Sequence, residues 1–167
     1  MASEALNETT IDRVERLRVR RAFLFVAKGY AERRRSVVVQ ARPRLSLQVD
    51  SVTNPPSQNN INTPVNKLIS PKIAGAGFTA TKKIGGAVVR NRAKRRLREA
   101  SSQLMYKHAL ADVDYVFIAR RDTATRQWDG LLDDVESALL SLRQKILSGD
   151  PPDPKPNRYG NQRNKKR

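Results

Sequence analysis

A pair of glycines followed by a basic segment with helical periodicity constrains the fold of this chain more than any other stretch. Gly85 and Gly86 allow backbone conformations that a Cβ would block, so a strand can end at Lys83 and a helix can begin near Ala87. Beyond the glycines, apolar residues recur at the spacing of one helical stripe, namely at Val89, Ala93, Leu97, Ala100 and Leu104. The pattern predicts a strand, a glycine turn and a helix that packs on a core through this stripe.

The polar side of the predicted helix carries positive charge with almost no compensation. Arg90, Lys94 and Arg98 form a row at a spacing of four residues, and like charges at that spacing destabilise an isolated helix. A solvated charged face is the usual explanation of a charge run. Here the single sign of the charges and the interleaved apolar stripe favour a polyanion as the partner, since each neutralised phosphate releases condensed counterions.

The same stretch resembles the signature of a known family. Its string K-K-x-G-x-A-V-x-R-N-R-x-K-R-x-x-R is similar to that of the protein subunit of bacterial ribonuclease P, the ribonucleoprotein that removes the 5′ leader of precursor tRNA. A looser resemblance extends over residues 16–147. The resemblance implies RNA binding through the basic positions and their neighbours, which here are Lys82, Lys83, Arg90, Asn91, Arg92, Lys94, Arg95 and Arg98.

The resemblance also implies a division of labour and a fold. In the family, the RNA subunit with bound magnesium ions performs the endonucleolytic cleavage, and the protein binds both that RNA and the leader. We therefore expect no catalytic residue and no metal or cofactor on the protein itself, with ribonuclease P RNA and precursor tRNA as partners and no protein partner. The implied fold is α+β, a small sheet packed on helices. It is a split βαβ-type sandwich with a left-handed crossover through the basic helix, similar to a domain of a ribosomal protein.

Composition agrees with a nucleic-acid binder and excludes several other classes. The chain has 33 Lys and Arg against 16 Asp and Glu, a net charge of +17, as is typical of proteins that bind nucleic acid or an anionic surface. The absence of cysteine excludes disulfides and thiolate metal sites. The N-terminus lacks the order of a secretory signal, and no apolar run is long enough to span a membrane, so we expect a soluble cytoplasmic protein.

The 167 residues are long enough for one domain with appendages. We predict a disordered leader over residues 1–12, an RNA-binding domain over residues 13–147 and a disordered basic tail over residues 148–167. Residues 46–71 are rich in Asn, Pro and Ser and predict an inserted flexible loop, because such a composition buries too little apolar area to offset its ordering entropy. The family has a shorter connection at this point.

The residues before the insertion predict a helix, a polar connector and a strand. Residues 22–27 form the helix, which stops before Gly29; residues 32–35 form the connector and residues 36–41 the strand. The helix carries Phe23 and Phe25, and either of them can belong to the core. The resemblance implies instead that this helix forms one wall of a cleft for the single-stranded leader. Side chains two residues apart diverge on a helix, so we expect one of the two rings to face the cleft.

A second strand is predicted over residues 72–82, with Phe78 and Ala80 on one face. Thr79 and Thr81 lie on the other face, where their hydroxyl groups are candidate RNA contacts. The β-propensity of threonine explains both residues equally well.

The rest of the chain predicts a buried central strand over residues 114–121 and an amphipathic closing helix that begins near Trp128. Arg120 and Arg121 end the strand, either in solvent or against RNA. Other polar residues have non-catalytic explanations. His108 is expected on the surface or in packing because no nucleophile or orienting carboxylate lies nearby in the sequence. Adjacent carboxylates diverge on a helix, which favours solvation over metal binding at positions 133 and 134.

Two other functional classes remain open on the sequence. A ribosomal protein or general RNA chaperone would bind RNA regardless of a 5′ leader. A metal-dependent nuclease would cleave without an RNA subunit, but the sequence is poor in acidic clusters. A P-loop at the glycine pair is excluded because the required glycine spacing and the G-K-[ST] ending are absent.

Overall fold

The structure is a computed structural model that describes residues 11–44, 71–149 and 151–152. The predicted leader, insertion and tail lie largely outside the described residues, as residues 1–10, 45–70, 150 and 153–167. The described strands are β1 (Arg13–Arg16), β2 (Tyr30–Arg33), β3 (Val37–Pro43), β4 (Ile73–Thr79) and β5 (Val113–Ala119). The helices are α1 (Arg20–Val26), α2 (Ala87–His108) and α3 (Trp128–Ser148), and short 3₁₀ turns span Lys82–Ile84 and Arg121–Ala124.

The five strands form one mixed sheet in the order β1-β4-β5-β3-β2. β5 lies in the centre, parallel to β4 and antiparallel to β3, and all but one of its residues are buried. α2 connects the adjacent parallel strands β4 and β5. This arrangement confirms the predicted α+β class, the central buried strand and the crossover through the basic helix. None of the helices in the described ranges is long and apolar enough to cross a membrane.

The two faces of the sheet are covered differently. Side chains alternate between the faces along each strand, and one face carries the main core, where α2 and α3 pack on Val39, Ala41, Tyr115 and Phe117. The other face carries α1. Its Phe23 lies so close to Gly77 that a Cβ on this glycine would be 2.8 Å from Phe23 Cε1 and 3.3 Å from Val116 Cγ2. Gly77 is therefore the position that lets α1 approach the sheet.

The sequence pattern misses both edge strands. Ile11 is only 2% exposed and belongs to the core, and β1 follows two residues later, so the ordered domain begins before the predicted boundary at residue 13. The predicted connector over residues 32–35 is wrong at residues 32 and 33, where β2 pairs with β3, while residues 34 and 35 do lie between the two strands. Both strands have only four residues, of which three in β1 and two in β2 are charged, so they lack a readable alternation of apolar and polar residues.

Glu32 fastens the edge strand β2 to α3. Its carboxylate accepts a hydrogen bond from Arg34 Nη1 at 2.7 Å and lies 2.8 Å from Lys145 Nζ. Burial opposes ionisation of Glu32, but the hydrogen bonds with Lys145 and Arg34 and the two positive charges outweigh it and lower the pKa of this carboxyl group. The charged residues that obscure the strand pattern of β2 in the sequence therefore also stabilise its contact with α3.

The acidic start of α3 has a structural use that the sequence does not predict. Asp133 is exposed, as expected, but Asp134 accepts hydrogen bonds from the backbone N–H of Ser36 at 3.0 Å and from its hydroxyl group at 2.6 Å. Asp134 also lies 3.0 Å from Arg126 Nε. Its expected solvation is therefore wrong, because a residue 98 positions away in the chain reaches it.

His108 lies at the end of α2, facing α3. Its Nε2 is 2.9 Å from Glu136 Oε1, an ion-pair distance without the alignment of a hydrogen bond. Its side chain is largely covered, so it serves in packing between the helices, as the sequence predicts.

Stability at high pH should depend on Tyr115. Burial raises the pKa of Tyr115 to about 12, while its hydroxyl oxygen accepts a hydrogen bond from the Leu110 N–H at 2.9 Å. An unfolded tyrosine has a pKa of about 10, so the folded state favours the neutral phenol. The resulting stability is complete below pH 10 and is lost as the pH rises towards 12, by about 2 to 3 kcal/mol in all.

Urea unfolding of the wild type and of Tyr115→Phe between pH 7 and 11.5 measures this loss. The variant should start about 1 to 3 kcal/mol less stable, because the Leu110 N–H loses its acceptor. The difference in the free energy of unfolding between the two proteins should then decrease above pH 10. If this difference stays constant over the whole pH range, Tyr115 does not titrate as described.

Candidate RNA interface

The chain enters α2 through a tight turn. β4 ends at Thr79, so Lys82 and Lys83 lie exposed in the 3₁₀ turn and not at the predicted end of the strand. Gly85 has φ 143°, a conformation that favours glycine, and Gly86 precedes the helix. The predicted glycine turn is confirmed, and it ends the strand a few residues earlier than expected.

The apolar side of α2 anchors the helix to the core. Ala93, Leu97 and Ala100 are fully buried and Leu104 almost so, as the predicted stripe requires. Val89 departs from the prediction, since it is 37% exposed and lies against the turn at Gly85 instead of the sheet. The first turn of α2 therefore projects beyond the core.

Most basic residues of α2 lie on its outer side and have no carboxylate partner in the described ranges. Asn91, Arg92, Arg95 and Arg98 are exposed, and Arg90 and Lys94 are half-buried. Within the described ranges, no carboxylate lies at ion-pair distance from any of the five cations in this set. Their positive charge is thus available to a ligand. We refer to these six residues, together with Lys82 and Lys83, as the basic surface.

Arg96 lies on the same helix but has a different role. Its guanidinium donates to the backbone oxygens of Thr123 and Arg126 and lies 5.7 Å from the centre of the Trp128 ring. Burial lowers the pKa of Arg96, and the charge of Arg92 lowers it further. These contacts tie α2 to the segment before α3, so Arg96 is engaged within the protein.

The opposite face of the sheet carries α1 and, beside it, a row of half-buried side chains. The register confirms that Phe78 and Thr79 point to opposite faces, because Phe78 stacks on Phe117 in the core and Thr79 pairs with Ile118. Thr79, Ile118 and Val38 form a half-buried row across three strands on the α1 face. Thr81 lies beyond the end of β4 and is exposed, so it is not part of this row.

The two aromatic residues of α1 have different surroundings. Phe23 packs on the sheet at Gly77 and Val116. Phe25 carries the Arg42 guanidinium 4.1 Å from its ring centre, and Arg42 Nη1 also donates to the Phe25 backbone oxygen at 3.1 Å. Neither residue is fully buried. The sequence misses Arg42, although the alternation of β3 places it on the same face as Val38 and Gln40.

One end of the α1 face is closed by an ion-pair network. Arg44 Nε lies 2.8 Å from Asp114 Oδ1, and its Nη2 lies 3.5 Å from Glu15 Oε2. Burial alone would lower the pKa of Arg44, but the hydrogen bond and charge of Asp114, aided by Glu15, raise it. Arg44 is therefore committed within the protein, in contrast to the cations of the basic surface. Nowhere in the described ranges do three His, Asp or Glu side chains cluster as a metal site would require.

Comparison with known proteins places this geometry in a family. The family model described as ribonuclease P matches residues 11–143. The ribonuclease P protein component of Caulobacter vibrioides is 47% identical over 135 residues, which cover 81% of this chain and 75% of that protein. The component from Ruegeria pomeroyi is 39% identical over 127 residues, which cover 75% of this chain and 84% of that protein.

Solved structures agree with the fold. The RNase P protein of Staphylococcus aureus superposes with a TM-score of 0.50 at 25% identity, covering 74% of this chain and 91% of that one. The RNase P protein from Thermotoga maritima gives a TM-score of 0.54 at 20% identity, and the superposition covers 76% of this chain and 96% of that one. At 20% identity the likeness supports the fold alone.

Proposed function

This chain belongs to the ribonuclease P protein family, and we propose that its basic surface docks on the RNA subunit while the cleft beside α1 holds the 5′ leader of precursor tRNA. The chain is the protein component of an endoribonuclease that produces the mature 5′ end of tRNA, and its partners are the ribonuclease P RNA and precursor tRNA. Catalysis belongs to the RNA. The protein's own residues therefore have to explain binding, not bond cleavage.

The observation that carries the docking proposal is the row of unpaired cations on α2. Arg90, Lys94 and Arg98 follow one another at one-turn spacing on a helix held rigidly by its buried stripe. Guanidinium groups suit phosphate because they present several donors in one plane. A rigid helix keeps the backbone positions of these residues fixed, so RNA binding has to order only their side chains.

Contacts on the α1 face support the leader proposal. A single strand can stack bases on aromatic side chains at about 1 to 3 kcal/mol per base, and Phe23 and Phe25 border this face. Thr79 places a hydroxyl group in the half-buried row, and Arg42 adds a positive charge beside Phe25. The cleft thus combines stacking, hydrogen bonding and charge for a short stretch of single-stranded RNA. Thr81 can contact RNA only from outside this row.

Changing Thr79 to Val tests the cleft without altering side-chain volume. The holoenzyme should bind precursor tRNA about fivefold more weakly, because one hydrogen bond is worth about 1 kcal/mol. Its affinity for mature tRNA, which has no leader, should not change. Dissociation constants for both RNAs provide the measurement, and Thr125→Val, at an exposed position, is the matched control. An equal loss for both RNAs would remove Thr79 from the leader site.

The comparison of precursor with mature tRNA also separates the proposed function from that of a general RNA chaperone. A general RNA chaperone would bind precursor and mature tRNA equally well. A self-sufficient metal nuclease would need clustered metal ligands, which the described ranges do not provide.

We propose that Mg²⁺ acts in the holoenzyme as an ion held by the RNA, with no protein side chain as its ligand. We also propose a cytoplasmic location, where precursor tRNA is processed in bacteria.

A further inference from the structure

A pocket that shares Arg98 with the basic surface lies where the edge strand β1 meets β4 beneath α2. Its walls include strand residues and residues of α2, among them Arg16, Ala76, Phe78, Arg98, Ser102 and Tyr106. Arg16 pairs with Ala76 in the sheet register, so its side chain lies on the α2 face. The pocket is therefore on the opposite face from the cleft beside α1.

Two aromatic rings give this pocket its apolar character. Phe78 is half-buried, with one ring face stacked on Phe117 at 5.3 Å between ring centres. Tyr106 is 44% exposed, and its hydroxyl group has no hydrogen-bond partner within the described ranges. A flat apolar ligand could cover both rings and leave the Tyr106 hydroxyl at the rim. The chemistry of the walls favours an aromatic group.

The charges at the rim indicate what else the ligand carries. The Arg98 guanidinium lies 6.0 Å from the centre of the Phe78 ring. Neither Arg98 nor Arg16 is within ion-pair distance of a carboxylate in the ranges that the structure describes. An aromatic ligand flanked by negative charge is a nucleotide of single-stranded RNA, whose base can stack while its phosphates meet arginine.

The position of the pocket indicates which RNA supplies that nucleotide. Arg95 and Ser102 are separated by about 10 Å along α2, at 1.5 Å per residue. An RNA docked on the basic surface therefore continues over the pocket, whereas a leader in the α1 cleft lies across the sheet. We propose that the pocket takes one unpaired base of the ribonuclease P RNA, stacked against Phe78 and Tyr106 with Arg16 and Arg98 on the flanking phosphates. This inference rests on the proposed docking of α2 on that RNA.

Changing Tyr106 to Leu tests the pocket while keeping its wall apolar. The dissociation constant of the protein with the ribonuclease P RNA of Caulobacter vibrioides, measured at several salt concentrations, should rise by about 5- to 50-fold. The slope of log affinity against log salt should stay unchanged, since no charge is removed. Tyr106→Phe keeps the ring and should bind like the wild type. Chemical probing should show one base that the wild type protects and the Leu variant does not.

The outcomes separate this inference from the proposed function. Replacement of Arg90 and Arg95 by Gln, measured in parallel, tests docking of α2 itself. If the arginine variant loses affinity for the RNA and Tyr106→Leu does not, the pocket does not bind a base, and the proposed docking of α2 is retained. If neither variant loses affinity, both fail. A loss confined to precursor tRNA, or an equal loss in Tyr106→Phe, would also overturn the pocket.

Discussion

Replacing Arg90 and Arg95 together with Gln should lower the affinity for ribonuclease P RNA by about 30-fold at 0.1 M salt. Each arginine that neutralises a phosphate contributes about 0.7 to 0.9 to the slope of log affinity against log salt, so two lost contacts should reduce the slope by about 1.4 to 1.8. Because neither arginine pairs with a described carboxylate, thermal unfolding of the free protein should hardly change. Titration of labelled RNA at four or five salt concentrations measures both quantities.

Lys107→Gln is the control for this experiment. It removes one positive charge, half the change in the double variant, from the exposed C-terminal end of the same helix, about 18 Å from Arg95 at 1.5 Å per residue. Its slope should match that of the wild type. If the double arginine variant also keeps the wild-type slope, the basic surface does not contact phosphates, and the RNA must bind elsewhere.

Gly29→Ala should destabilise the protein by about 3 kcal/mol or more and lower its melting temperature by about 10 °C. A Cβ at this position would lie 2.2 Å from the backbone oxygen of Ala41 and 2.7 Å from Arg42 Cβ. Ala41 belongs to β3 and pairs with Tyr30 in the ladder between β2 and β3. The Ala41 oxygen cannot move away from the added Cβ without disturbing the pairing of β2 with β3, so the turn after α1 has to move instead.

Gly86→Ala is the matched control for that substitution. Its backbone has φ −65°, and a Cβ there would meet no atom within 4 Å. An alanine should therefore change stability by less than about 1 kcal/mol. Differential scanning calorimetry of the two variants checks the comparison. Equal melting temperatures would mean that the packing around Gly29 is looser than described.

Long periodic segments made most of the fold predictable from the sequence. α2 and α3 each repeat apolar residues over more than four turns, and β5 is almost entirely apolar, so local pattern and tertiary burial agree. β1 and β2 were not predictable in this way. β1 is stabilised by pairing with β4, which lies far away in the sequence. β2 is stabilised by pairing with the neighbouring strand β3 and, through Glu32, by a lysine on α3.

The candidate site is likewise predictable from the sequence only in part. The positions of the cations on α2 follow from helical spacing, and the sequence places them on the outer side of the helix as the structure does. The use of each side chain follows from contacts across the fold. Helical spacing does not predict, for example, that Arg96 donates hydrogen bonds to the backbone oxygens of Thr123 and Arg126. The pocket at Tyr106 likewise exists only because β1 pairs with β4.

Cleavage of a 5′-labelled precursor tRNA at low magnesium concentration tests the central claim most directly. Three reactions are needed: a bacterial ribonuclease P RNA alone, this protein alone, and the two together. The account predicts that only the combination cuts efficiently at the mature 5′ end, because the protein reduces the repulsion between RNA phosphates and adds no catalytic group. Cleavage by the protein alone, or no effect of the protein on the RNA, would contradict it.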